Sequence, residues 1–117
     1  MQANTQEIQI LKDALRAFQE TTGKKAAILA AELQLPQGIA DAEVQIGAGN
    51  RLLAEVKRIL TPTTLGPVLA QLRHFKRPGL LVTRYITPPM AERLKQMDVH
   101  FLDTAGNVYL KTPETLI

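Results

Sequence analysis

Two acidic residues and one lysine stand at a spacing that suits metal-assisted chemistry on phosphate esters. Asp41 begins the segment DAEVQI, and Glu55 and Lys57 interrupt the apolar run LLAEVKRIL. Carboxylate oxygens bind Mg²⁺, which polarises a phosphoryl group and activates water, and a nearby ammonium stabilises the charge that develops. We therefore predict Asp41 and Glu55 as magnesium ligands and Lys57 as the group that orients the attacking water.

This chemistry requires the three side chains to leave one face of one sheet. Residues 41–46 and 51–59 read as two strands of a hairpin, and the loop 47–49 supplies glycine for a left-handed last position. In the register that this loop imposes, Asp41 lies opposite Glu55, with the Cβ atoms about 5 Å apart. The same register separates an apolar face from a polar one, which a shift by one residue would mix.

The other elements follow from apolar periodicity, capping residues and glycine or proline boundaries. The predicted helices are Asn4–Thr22, with Asn4 and Glu7 at capping-box spacing, a second helix capped by Thr63 or Thr64 with Pro67 in its first turn, and a third that starts at Thr87-Pro88-Pro89. The predicted strands are Lys25–Leu35, Leu80–Tyr85 and a hairpin of His100–Leu102 with Asn107–Lys111. We expect an α/β fold with a central mixed sheet flanked by helices, in the order αβββαβαββ.

Composition narrows the class of protein. With 117 residues, 45% of them hydrophobic and 21% charged, the chain is expected to form a single domain spanning residues 1–117. It contains no cysteine, which excludes disulfides and thiolate zinc sites. We see neither a signal peptide nor an apolar run long enough to span a membrane, so we expect a cytoplasmic protein without a membrane partner.

Basic residues recur in short clusters along the chain, which has a formal net charge of +3. The clusters are Lys24-Lys25, Lys57-Arg58, Arg73 to Arg77, and Arg84. Grouped on one face they would attract phosphates, so we predict that Lys57, Arg58, Arg73, Lys76, Arg77 and Arg84 contact DNA or RNA. The alternative is an ordinary solvated surface.

The order of these motifs resembles the PD-(D/E)XK nuclease superfamily, which has a restriction-endonuclease-like αβββαβ core. Asp41 and Glu55-Val56-Lys57 match its motif, although Ala40 stands where the motif has proline. Gln71 and Phe75 are similar to the Gln-x-x-x-Tyr element of some of these nucleases, and this resemblance implies a catalytic role for Gln71. The element is incomplete because phenylalanine lacks the hydroxyl.

A second resemblance covers most of the latter half of the chain. LAEVKRIL, LGPVLAQLRHFKRPGLLV, YITPPMAERL and above all FLDTAGNVYL are similar to bacterial AbiEi-like antitoxins and transcriptional regulators of type IV toxin–antitoxin, abortive-infection systems. The resemblance implies regulation through nucleic acid or a cognate toxin. In that family this region is one part of a longer polypeptide, so a fragment of a longer regulator is one expectation for this chain.

Other interpretations of the same residues stay open at this point. The domain could be an active Mg²⁺-dependent nuclease, or a protein-interaction scaffold whose terminal hairpin is the contact surface. Glu43 shares the face of Asp41 and is an alternative ligand. His74 and His100 lack metal-like partners and are expected to be structural. The turn Asp103-Thr104-Ala105-Gly106-Asn107 is explained by turn chemistry alone.

Overall fold

The structure is a computed structural model that describes residues 5–112 and 115–116, without the side chains of residues 112, 115 and 116. Within these residues there are three helices, α1 (Thr5–Thr22), α2 (Pro62–His74) and α3 (Pro88–Gln96). The strands of the same residues are β1 (Ala26–Leu35), β2 (Gly38–Ile46), β3 (Asn50–Lys57), β4 (Gly79–Thr83), β5 (Phe101–Asp103), β6 (Val108–Tyr109), β7 (Lys111–Thr112) and β8 (Thr115–Leu116). The proposed cap Asn4 and the C-terminal Ile117 lie outside the described residues.

Six of these strands form one mixed sheet in the order β1-β2-β3-β4-β5-β6, and β7 pairs with β8 separately. β1, β2 and β3 are antiparallel neighbours, β3, β4 and β5 run parallel, and β6 returns antiparallel to β5. The three parallel strands give the sheet two distinct ends. We call the end where they finish, at Lys57, Thr83 and Asp103, the carboxyl edge, and the end where they begin the amino edge.

Helices cover both faces of the parallel strands. Leu11, Leu15 and Phe18 of α1 pack on one face against a cluster that includes Val44 and Val56. The apolar side chains of α2 and α3 pack on the other face around Leu81 and Phe101. Strands buried on both faces read as continuous apolar runs, as LLV in β4 does. The predicted α/β class, with a central mixed sheet between helices, is confirmed.

The predicted register of the β2–β3 hairpin is also confirmed, because Ile46 pairs with Asn50 and Ala42 with Ala54. The position of the left-handed glycine was wrong. Gly47, the first loop residue, has φ +66°, and its N–H donates to the carbonyl of Lys25 at 2.7 Å. This hydrogen bond ties the loop to the start of β1, which sets the conformation at Gly47 and not at Gly49.

The start of α2 differs from the prediction as well. Thr61, and not Thr63 or Thr64, is the N-cap, because its hydroxyl accepts from the Thr64 N–H while the Thr64 hydroxyl accepts from the Thr61 N–H. Pro62 then takes the first helical position, where its missing N–H is harmless. Pro67 consequently lies inside the helix and beyond its first turn.

Strand lengths were overestimated at the carboxyl edge. β3 ends at Lys57 and β4 at Thr83, so Arg58, Ile59, Arg84 and Tyr85 follow the strands. In the opposite direction, β2 begins at Gly38, three residues before Asp41. Among the described residues, no helix is both long and apolar enough to cross a membrane.

Candidate functional site

Asp41 lies where the hydrogen-bond ladder between β2 and β3 ends. The last backbone pair is Ala42 with Ala54, and the Oδ2 atom of Asp41 accepts a hydrogen bond from the Val56 N–H at 2.8 Å. The carboxylate therefore replaces a backbone carbonyl as the acceptor for this amide. The contact places Asp41 next to the Glu55–Val56 peptide. Asp41 thus lies beside Glu55, its predicted cross-strand neighbour.

Glu55 is a buried carboxyl group, with 5% of its surface exposed. Its Oε1 atom is buried and has no hydrogen-bond partner among the described residues. The pKa of Glu55 is raised to about 7, first by burial, then by the negative charge of Asp41 and last by that of Glu7 in α1, whereas the charge of Lys57 lowers it. Near neutral pH this carboxyl group is thus poised between its neutral and charged forms.

The pKa of Asp41 is also subject to opposing effects. Burial raises its pKa above the usual range, whereas the hydrogen bond from Val56 and the charge of Lys57 lower it, and the charge of Glu32 raises it. Two carboxylates that repel each other in a partly dry site are stabilised by sharing either a proton or a cation. A divalent cation is one way to let both ionise.

Lys57 completes the group that the sequence predicted. It is half-buried at the end of β3, two residues beyond Glu55 and therefore on the same face of the sheet. Its charge affects both carboxyl groups, since it lowers the pKa of each. The structure thus brings Asp41, Glu55 and Lys57 together at the carboxyl edge.

Thr83 is a member of this edge that the sequence analysis missed. It pairs with Lys57 in the parallel register of β3 and β4, and it is fully buried. Its Oγ1 atom has no hydrogen-bond partner among the described residues. The one signal in the sequence is a hydroxyl residue that ends the apolar strand GLLVT, and that signal alone does not predict an unpartnered oxygen.

Glu43 does not join the acid pair. It lies opposite Leu53, further along β2, where its carboxylate forms an ion pair with Arg77. The ion pair with Arg77 holds the Glu43 carboxylate at a position closer to the amino edge than Asp41. The alternative in which Glu43 replaces Asp41 as a ligand therefore gains no support from its contacts.

Gln71 and Phe75 lie on the α2 side of the sheet. A Cβ atom built on Gly38 would lie 3.6 Å from the Nε2 atom of Gln71, so this side chain sits against the turn between β1 and β2. Phe75 is 3% exposed and packs with Ala40 and Leu53, in agreement with a core role. Neither residue has a described hydrogen bond to the acid pair.

The basic residues predicted to contact nucleic acid are divided between the two edges. Lys57, Arg58 and Arg84 lie at or just beyond the ends of β3 and β4. Arg73, Lys76 and Arg77 lie at the end of α2 and in the segment that leads into β4, so they belong to the amino edge. Arg58 donates to the Oε1 atom of Gln6 at 2.6 Å, which ties it to the start of α1.

The Asp103 carboxylate also lies at the carboxyl edge, and both of its oxygens accept hydrogen bonds from the neighbouring loops. Oδ1 accepts from the backbone N–H groups of Ala105 at 3.0 Å and Asn107 at 2.9 Å. Oδ2 accepts from the Ile86 N–H and from the Asn107 side chain, both at 2.8 Å. Gly106 adopts φ +94° in the same turn. Turn chemistry thus accounts for the residue types of the FLDTAGN segment.

The two histidines lie apart from the acid pair. A ring nitrogen of His100 lies 3.0 Å from the carbonyl of Lys111, and His74 ends α2 at the amino edge. The described residues contain no group of three or more histidine, cysteine, aspartate or glutamate side chains that could hold a metal ion. The structural role of both histidines stays a prediction.

The donor set at the acid pair nonetheless fits a hard divalent cation. Mg²⁺ is commonly bound by one or two carboxylates and takes its remaining ligands from water and substrate phosphate. Asp41 and Glu55 would supply the carboxylates, and the unpartnered Oε1 of Glu55 is an oxygen that such an ion would satisfy. When bound, the ion would polarise a phosphate ester and activate water.

Comparison with protein-family models, with curated proteins and with solved structures found no match to this chain. The geometry of its own residues and the sequence resemblances therefore carry the functional argument.

Proposed function

We propose that this chain is a nucleic-acid-associated regulatory domain with a nuclease-like acidic site, of the antitoxin or transcriptional-regulator kind found in type IV toxin–antitoxin, abortive-infection systems. The observation that carries the proposal is the meeting of Asp41, Glu55 and Lys57 at one edge of a mixed sheet. The succession α1, β1, β2, β3, α2, β4 supports it, because the nuclease-like core that the sequence resembles has the order αβββαβ.

Charge supports the nucleic-acid part of the proposal. The chain has 14 lysine and arginine residues against 11 aspartate and glutamate residues. Asp103 accepts four hydrogen bonds that offset part of its charge, and Glu55 stays partly protonated near neutral pH, so the pair repels a phosphate less than two free carboxylates would. A cognate toxin is the protein partner that the same family resemblance implies.

The direct test is binding of a DNA duplex and an RNA duplex across a salt series. We expect binding that weakens steeply with salt, because each phosphate contact releases a counterion. A flat titration for both duplexes at low salt would remove the nucleic-acid part of the proposal. The protein–toxin part is tested separately by co-purification with the product of a neighbouring gene.

An active Mg²⁺-dependent nuclease is the second candidate, and the unpartnered Oε1 of Glu55 beside Asp41 favours it. In this mechanism Asp41 and Glu55 would hold the cation, and the Lys57 ammonium would position the attacking water and stabilise the negative charge that develops on the phosphoryl oxygens. The water oxygen would form a bond to phosphorus while the opposite P–O bond breaks, with the water proton passing to solvent and the leaving oxygen taking a proton from solvent.

Cleavage assays with Mg²⁺ or Mn²⁺ decide between the two candidates. An active enzyme should cut a DNA or RNA substrate and lose at least about a hundredfold of its rate in Asp41→Asn, Glu55→Gln and Lys57→Met. Circular dichroism of each variant shows whether the fold survives. Binding without cleavage by the intact protein would support the regulatory domain over the enzyme.

A further inference from the structure

Charged residues are unevenly distributed along the direction of the parallel strands. The carboxyl edge holds Asp41, Glu55 and Asp103, and the charge of Glu7 in the first turn of α1 is felt there. At the amino edge the chain places a series of cations, together with the acids Glu43 and Asp98. Two of them, Lys24 and Lys25, stand outside the predicted nucleic-acid contacts, and so does Arg51.

The sheet register brings these cations to one end of the molecule. Lys25 immediately precedes β1, and its carbonyl accepts from Gly47, so it lies beside the β2–β3 loop. Arg51 is the second residue of β3. Lys76 lies in the segment that joins α2 to β4, and the N–H of Leu53 donates to the carbonyl of Pro78 in that segment at 2.8 Å. The amino-edge cations therefore span four neighbouring strands, at the starts of β1, β3 and β4 and at the end of β2.

Most of these side chains reach solvent. Lys24, Lys25, Arg51, Arg73 and Lys76 are exposed, whereas Arg77 is half-buried and paired with Glu43. Adjacent strands lie about 4.8 Å apart, so the starts of β1 and β4 are separated by roughly 14 Å, about the length of duplex axis that four phosphates of one strand occupy. Arg73 also occupies the last turn of α2, where cations are favoured by the helix dipole.

We propose that the amino edge, defined here by Lys24, Lys25, Arg51, Arg73 and Lys76, binds the phosphate backbone of a nucleic-acid duplex. The inference rests on the proposed function, because it assigns the surface that the nucleic-acid partner uses. It also separates that surface from the acid pair, which lies at the other end of the strands. Binding at the amino edge leaves the Asp41–Glu55 site free of the bound backbone.

The absence of stacking groups selects a duplex over a single strand. Proteins that bind single strands without sequence preference stack bases on exposed aromatic rings. All three phenylalanines are buried, and Tyr85, which is 54% exposed, follows β4 at the carboxyl edge. Tyr109 is half-buried and donates to Asp98. Among the described residues, the amino edge therefore offers cations without an exposed phenylalanine or tyrosine ring, and His74 is its exposed imidazole.

Three double variants with equal loss of charge test the assignment. The amino-edge variant is Arg51→Gln with Lys76→Gln. The control variant, at two exposed positions of α1, is Arg16→Gln with Lys12→Gln, which removes the same two residue types. The competing carboxyl-edge variant is Arg58→Gln with Arg84→Gln. Each full-length variant is titrated with a fluorescein-labelled DNA duplex and with the corresponding single strand across a salt series.

We expect the amino-edge variant to bind the duplex on the order of tenfold more weakly than the wild type at low salt. Its plot of log affinity against log salt should be shallower by about 2, because two phosphate contacts are lost. The α1 control should keep the wild-type slope. The duplex should bind more tightly than the single strand.

The other outcomes overturn the inference in distinguishable ways. If the wild type binds no duplex, the proposed function fails and the inference fails with it. If the wild type binds but the carboxyl-edge variant alone loses affinity, or all three variants lose it equally, the nucleic-acid function stands and the amino-edge assignment is wrong. Polyglutamate is the competitor that tests for an acidic polypeptide. If it displaces the labelled duplex from the protein as effectively as unlabelled duplex does at equal charge, the edge recognises acidic polypeptide and the duplex assignment is also wrong.

Discussion

The Asp41 carboxylate accepts a hydrogen bond from the Val56 N–H at 2.8 Å, at the point where the backbone ladder between β2 and β3 ends. One side chain thus continues the sheet and presents an acid to the carboxyl edge. This double use explains why an acidic residue is tolerated beside the buried Glu55, although the two charges repel each other.

Replacing Asp41 separates these two uses. Asp41→Asn and Asp41→Ala both remove the charge, but only asparagine keeps an oxygen that can accept from Val56. We expect Asp41→Ala to be less stable than Asp41→Asn by about 1 kcal/mol, the usual net value of such a hydrogen bond. Urea denaturation measures the difference, and equal stability of the two variants would mean that the Val56 contact contributes nothing.

Glu55 makes the stability of the protein depend on pH. Because burial raises its pKa from 4.5 to about 7, the folded state holds this proton more tightly than the unfolded chain does. The resulting stabilisation is fully present below pH 4.5 and is lost as the pH rises through about 7, by up to about 3 kcal/mol in metal-free buffer.

Glu55→Gln keeps the size of the side chain and removes the titration. The difference in free energy of unfolding between wild type and this variant should therefore change across the same pH window. The wild type should become less stable relative to the variant as the pH rises. Chemical denaturation at several pH values in the presence of a chelator measures it. Parallel stability curves for the two proteins would contradict the raised pKa.

Thr83 carries a buried hydroxyl without a partner among the described residues. Thr83→Val replaces that hydroxyl with a methyl group of similar size, so we expect stability to be unchanged or to rise by about 1 kcal/mol. Thr83→Ser keeps the hydroxyl, removes a methyl group and should lose about 1 kcal/mol. A clear loss of stability in Thr83→Val would show that the hydroxyl has a partner in solution.

We expect that replacing the Asp103 carboxylate with an amide destabilises the fold. Its two carboxylate oxygens face four N–H donors, so Asp103→Asn would turn an NH₂ group toward at least one of them. We expect a loss of about 2–4 kcal/mol in the free energy of unfolding. Thr104→Ala, which removes one hydrogen bond to the Arg84 carbonyl, is the matched control and should cost about 1 kcal/mol. Similar losses in both variants would disprove the special role of Asp103.

Local patterns were sufficient to predict the strands that position the acid pair. Alternation of apolar and polar residues determines the β2–β3 register, since a shift by one residue would mix the apolar and polar faces. Capping was harder to predict because three threonines near the start of α2 all suit an N-cap, and the choice of Thr61 depends on Pro62 at the first helical position.

The properties that make the site chemically interesting required the tertiary structure. The raised pKa of Glu55 comes first from burial, which depends on helices packed over the sheet and not on neighbouring residues in sequence. The unpartnered oxygen of Thr83 and the division of the basic residues between two edges likewise follow from strand pairing between distant segments. Spacing along the chain contains no signal for either.

The proposal that depends most on the structure is that Asp41 and Glu55 together bind a divalent cation. The most direct measurement is a Mg²⁺ titration of the metal-free protein, followed by NMR of the side-chain carboxyl carbons, with the exposed Glu20 as the internal control. The account predicts saturable shifts at Asp41 and Glu55 at millimolar Mg²⁺, a fall in the pKa of Glu55, and loss of both effects in Asp41→Asn. Shifts at Asp41 and Glu55 no larger than at Glu20, with an unchanged pKa of Glu55, would contradict it.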